Sequence, residues 1–161
     1  MIPVTKNAAQ LAAVIGHEVG HVIAKHGNER MSQGEIAQIL MAGASVATGK
    51  MSPGAQQAAM TALGAGTQFG VLLPFSRAQE SEADLIGLDL MSQAGFDPHQ
   101  SVELWKNMSA ASGGKAPAQW MSTHPSDETR MAALEENIPK HIAQYESAKA
   151  AGRNPRCVLS K

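Results

Sequence analysis

The chain has a single cysteine, Cys157, among 161 residues. No internal disulfide can form, and any metal site must draw on histidine and carboxylate ligands. Aromatic residues make up only 4%. Strands rely on aromatic and β-branched residues, so a chain rich in Ala, Gly and Met points to close-packed helices instead. Neither sign of charge is in excess, the net being −1. That excludes a basic field for nucleic acid and an acidic, disordered tail. No uninterrupted apolar run reaches about 18 residues. Residues 36–47 and 58–73 are apolar but broken by Gly, Thr and Gln, and read as packing or at most interfacial helices rather than membrane spans. The first six residues, Met1 to Lys6, lack the apolar segment and cleavage site of a signal peptide.

What is present is helical period and helical punctuation. The length suits one domain, residues 1–152, followed by a loose tail, 153–161. Seven helices are expected. Asn7 with Gln10 caps the first, from about Ala8 to His26, which Gly27-Asn28 ends or bends. Ser32-Gln33-Gly34-Glu35 is a capping box for a second, 33–48. Ser52-Pro53 opens a third, 54–70. Pro74-Phe75 breaks the pattern before a fourth, 77–94, capped by Ser76 and closed by Gly95. Asp97-Pro98 starts a fifth, to about Ala111. A linker, 112–117, and a loop holding Trp120 and His124 lead to a sixth, 127–137, and Pro139 starts a seventh, to about Ala151.

One stretch carries chemistry: His17-Glu18-Val19-Gly20-His21, inside the first helix. Histidines at i and i+4 lie one above the other on a helix face, so both imidazoles can reach one metal ion. Glu18 is turned about 100° from His17 and can reach a water on that metal without binding it. This is the H-E-x-x-H arrangement of zinc peptidases.

A catalytic zinc takes three protein ligands, so a third is needed. The fourth helix offers Glu80 and Glu82 on opposite faces. The Glu80 face continues through Asp84, Gly87, Leu88 and Met91; the Glu82 face through Ile86, Asp89 and Gln93. A carboxylate on the more apolar face must be paired or bind metal, which favours Glu80 as ligand and leaves Glu82 solvated. Asp84, one turn on, is placed to accept the free ring N–H of a ligand histidine. The other readings are a His pair that is satisfied core polarity, and an acidic face pairing with Arg77. His26, His99 and His141 read as surface or helix-end residues.

His17-Glu18-Val19-Gly20-His21 joined to Ser76-Arg77-x-x-Glu80-x-x-Ala83-Asp84 resembles a zinc metallopeptidase family. Its members include HtpX, the CAAX prenyl proteases and the mitochondrial OMA-type proteases, and the likeness is closest to bacterial periplasmic, lipoprotein-like members. Residues 11–16 and Thr123-His124-Pro125-Ser126 with Arg130 fit as well. The resemblance implies one Zn²⁺ held by His17, His21 and Glu80, with Glu18 as general base and Asp84 in support. It implies an endopeptidase for unfolded or misassembled proteins in a bacterial cell envelope, periplasmic or membrane-associated. The fold it implies is the helical core of a zincin-like peptidase. The resemblance also implies a substrate-pairing β-strand, and often a signal or membrane segment, before this point, so the chain is expected to be a fragment that lacks them.

His124 and Arg130 are the candidate donors to the reaction's oxyanion. His124 is open to two other roles, a fourth zinc ligand or an ordinary loop histidine. Arg130 is open to a pairing with Asp127 or Glu135. The rival functions are a zinc-stabilised, chaperone-like or regulatory binding module without turnover, and another zinc hydrolase such as an amidase. An intact Glu18 favours the peptidase, since a structural site does not need it.

Overall fold

A computed structural model describes residues 4–112, 128–155 and 157. Every regular element among them is helical: α1 (Ala8–Ile23), α2 (His26–Ala47), α3 (Pro53–Thr67), a π-helical turn (Gln68–Leu72), α4 (Leu73–Gln93), α5 (His99–Ser112) and α6 (Glu128–Ala150). The all-α expectation holds. Residue 112 of the expected linker ends α5; the rest of the linker, Trp120, His124 and the expected start of a sixth helix at 127 lie outside the described residues.

Three boundaries differ from those expected. The first break falls at Lys25, whose left-handed backbone (φ 60°) separates α1 from α2, so Gly27 and the Ser32 box lie inside α2. Its local signal is overridden by a continuous helix, as a box seven residues downstream of an open helix start can be. The third and fourth expected helices run together through the π turn. Pro74 removes one backbone donor and crowds the carbonyl four residues back, which is Gly70, inside that wider turn. The last two expected helices are one, with Pro139 in its interior. Arg130, Leu134 and Ile138 are buried on one face, and Ile142 packs the same core beyond the proline. Continuous burial of that stripe outweighs the hydrogen bond lost at Pro139.

The chain divides into two compact units. The first comprises the residues up to Ala24 and those from Glu80 onward; the second is Lys25–Gln79. The first unit holds the apolar core. Ala13 and Val14 of α1, Leu88 and Met91 of α4, Val102, Leu104, Trp105 and Met108 of α5, and Leu134 and Ile138 of α6 form one cluster. Asn7 caps α1 through its side-chain oxygen, which accepts from the Gln10 N–H at 2.9 Å.

The second unit is an α2–α3 hairpin with the π turn and the start of α4. Its turn is closed by Thr48, whose N–H donates to the Ala44 carbonyl, and by Ser52, which caps α3. Within it Gln79 donates to Glu29 and accepts from Arg30. Many of its large apolar side chains are exposed, among them Ile36, Ile39, Leu40, Val46, Phe69 and Phe75. The unbroken helical run Pro53–Gln93 is long and apolar enough to cross a membrane by length and composition. The run expected from the sequence, 58–73, stops at Pro74, whereas the helix continues through it.

Candidate metal centre

The first unit brings α1 and α4 together at their smallest residues. A Cβ built on Gly20 would lie 2.7 Å from the Ala83 carbonyl oxygen, and one on Gly16 2.8 Å from that of Gly87. A Cβ on Gly87 would meet the His17 backbone nitrogen at 2.7 Å. The two backbones are in direct contact, which only Gly and Ala at these positions permit. Gly16 and Gly20 flank His17, while Ala83 and Gly87 follow Glu80. The crossing therefore delivers both histidines and one glutamate to a single point.

At that point His17 Nε2 and His21 Nε2 are 3.1 Å apart. Glu80 Oε2 is 3.4 Å from His17 Nε2, and Glu80 Oε1 is 3.4 Å from His21 Nε2. The three ligand atoms lie within 4.8 Å of one another. Ligands about 2.0–2.1 Å from a tetrahedral zinc sit roughly 3.3 Å from each other. The spacing of this trio fits that group, and two imidazoles with one carboxylate are a donor set zinc accepts. Glu80 is wholly buried and Glu82 is exposed. Glu18 is exposed beside buried His17.

The other nitrogen of His17, Nδ1, is 2.9 Å from Asp84 Oδ1. An Nδ1–H donated to Asp84 leaves the Nε2 lone pair facing the shared point. Burial pulls the His17 pKa down, but the hydrogen bonds to Asp84 and Glu80 and the charge of Asp84 more than offset it. The ring ends above the ordinary histidine value of 6.5. Asp84 in turn accepts from Arg130, whose Nε lies 2.7 Å from Oδ2 and Nη2 2.8 Å from Oδ1. Arg130 Nη1 is 3.3 Å from Glu80 Oε2, and the guanidinium stacks over Trp105, 4.4 Å from the ring centre.

Arg130 was expected to donate to an oxyanion or to pair with Asp127 or Glu135. It is 1% exposed, with its guanidinium on Asp84 and Glu80, while Asp127 lies outside the described residues. The acids near it in sequence, Asp127 and Glu135, suggested a surface pairing; nothing local marks a partner 46 positions upstream. Trp105, a member of the apolar core, also carries the arginine. His26 is buried at the start of α2 and is not among the clustered ligands. His99 is exposed against Asp97.

A family model described as Peptidase family M48 matches residues 1–138. The chain belongs to that family. This M48 chain is 39% identical over 153 residues to the mitochondrial metalloendopeptidase OMA1 of Schizosaccharomyces pombe, a match covering 92% of the chain and 42% of the relative. It is 36% identical over 130 residues to the beta-barrel assembly-enhancing protease of Escherichia coli K12, covering 78% of the chain and 26% of the relative. The OMA1 of Arabidopsis thaliana is 35% identical over 149 residues, 28% of its length. The M48 chain thus spans less than half the length of these curated relatives. No solved structure matches it significantly.

Proposed function

We propose that this chain carries the catalytic centre of a zinc-dependent endopeptidase. The observation that carries the reading is the trio of His17, His21 and Glu80 at tetrahedral spacing, with exposed Glu18 between the histidines. His17, His21 and Glu80 would hold the metal. Bound zinc supplies Lewis-acid polarisation of the peptide carbonyl and a water acidic enough to attack near neutral pH.

The chain's own residues do the rest. Glu18, on the solvent side of α1, takes the proton from the attacking water and returns it to the leaving amine. Asp84 holds His17 in the tautomer that presents Nε2. His124, outside the described residues, is the remaining candidate for steadying the oxyanion or closing the metal's fourth position.

The substrates are unfolded or misassembled proteins of a cell envelope, and the relatives named as a β-barrel assembly-enhancing protease and as mitochondrial metalloendopeptidases support that class. Membrane association is part of the same reading, supported by the apolar run Pro53–Gln93. A second reading, a zinc-stabilised binding module without turnover, draws on the apolar side chains exposed in Lys25–Gln79.

Zinc content and cleavage of unfolded casein by the Glu18→Gln chain separate the two. Loss of a general base lowers the rate by about 10²–10⁴-fold. Retained zinc with cleavage reduced to that extent is the expected result. Cleavage at the parent rate overturns the assignment of Glu18. A parent chain that binds zinc and cleaves nothing favours the binding module.

A further inference from the structure

We infer that Arg130 is a positioning residue of the metal centre, holding His17 in ligand geometry through Asp84 and Glu80 by direct contact. The inference rests on His17, His21 and Glu80 being the metal ligands.

The physical problem it solves is visible in the burial. Glu80 is fully buried and Asp84 nearly so, and two buried carboxylates beside two imidazoles repel each other and desolvate at high cost. One guanidinium answers both. It takes Asp84 in a two-point grip, Nε to Oδ2 at 2.7 Å and Nη2 to Oδ1 at 2.8 Å, and reaches Glu80 with Nη1 at 3.3 Å. A planar fork fixes a carboxylate's rotation as well as its position, which a lysine's single ammonium does not. Asp84 Oδ1, fixed in this way, accepts the Nδ1–H of His17 and sets the ring's angle. The arginine is itself held from below by Trp105 of α5. The chain of contacts Trp105, Arg130, Asp84, His17 thus links the core to the metal ligands through two further helices. It accounts for the tetrahedral spacing of the ligand trio.

Outer partners of metal-binding histidines typically change metal affinity by about 10–100-fold. The test is a double-mutant cycle on zinc affinity, measured by chelator competition on chains shown to be folded by circular dichroism. Cobalt absorption serves as a second readout of ligand geometry. Arg130→Lys keeps the charge and loses the fork; it is expected to weaken zinc binding at least tenfold and to shift the cobalt bands. Asp84→Asn is expected to weaken it comparably. In the Asp84→Asn background, Arg130→Lys is expected to cost less than it does in the parent, because only the direct contact with Glu80 is left to lose. Ile138→Ala, two turns along α6 from Arg130, should lower the melting temperature and leave the affinity of the folded chain alone.

Equal zinc affinity and an unchanged cobalt spectrum for Arg130→Lys overturn the inference, as do fully additive losses in the cycle. A parent chain that binds neither metal overturns the site itself, which is a different result from either. Should Arg130→Lys not fold, Trp105→Phe keeps a ring beneath the guanidinium, and Trp105→Leu removes it. Weaker zinc binding in Trp105→Leu alone supports the inference, and parent affinity in both overturns it.

Discussion

Gly87→Ala should damage this protein although alanine is the better helix former. In an open helix interior the change stabilises by about 0.5–1 kcal/mol. At Gly87 the new methyl would lie 2.7 Å from the His17 nitrogen, 2.9 Å from the Gly16 carbonyl carbon and 3.1 Å from the His17 Cα. All three are backbone atoms and cannot rotate away. Ordinary contact needs about 3.5 Å, so α1 and α4 must part by roughly 0.8 Å. Overpacking of this kind costs about 1–3 kcal/mol, which exceeds the propensity gain and leaves a net loss of about 1 kcal/mol. The metal centre feels the same displacement. Its His–Glu edges of 3.4 Å would open toward about 4.2 Å, the most that two ligands about 2.1 Å from zinc can span, and then only in line. Zinc affinity should fall at least tenfold. Urea denaturation in chelator gives the first quantity and chelator competition the second. Gly66→Ala in α3, where an added Cβ meets nothing within 4 Å, is the control and should stabilise. A Gly87→Ala chain as stable as Gly66→Ala and binding zinc like the parent would refute the crossing as the device that assembles the site.

Four further outcomes are expected. Glu80→Gln should abolish stoichiometric zinc binding while Glu82→Gln keeps it, measured as metal content after dialysis. Asn7→Ala removes the cap oxygen from the Gln10 N–H and should cost about 1 kcal/mol in urea denaturation. Gly95→Ala should cost about 2 kcal/mol or more, since φ is +84° there and the added Cβ would overlap the Arg153 carbonyl oxygen. The pKa of His17 is raised in the folded, metal-free chain, so its charged form contributes stability fully below about 6.5, the unfolded value. That contribution is lost as pH rises through the folded value. The melting temperature in chelator should therefore drop across that window in the parent, and the His17→Gln chain should lack the step.

The helical class and the ligand face were legible because they depend on local spacing. His17 and His21 share a face by period alone. The apolar partners below Glu80, namely Gly87, Leu88 and Met91, mark it as the inward face, and these residues are buried. Helix ends were less legible. Pro74 and Pro139 signal breaks, yet a π turn relieves one and a buried stripe on both sides overrides the other. Arg130 was legible as a site candidate, but what it holds was not. Its partners come from α4 and α5, and no short-range pattern encodes a contact of that separation.

His21 and Glu80 stand on either side of the Lys25–Gln79 unit. The contact of Gly20 with Ala83 fixes the points from which that segment departs and to which it returns. Topologically the segment is a closed loop with a rigid neck, and the entropy of closing such a loop grows only with the logarithm of its length. Doubling it adds about 0.6 kcal/mol. The hairpin can therefore lengthen, shorten or change its surface almost independently of the ligands. A metal site of the proposed kind can accept very different appendages inserted between His21 and Glu80.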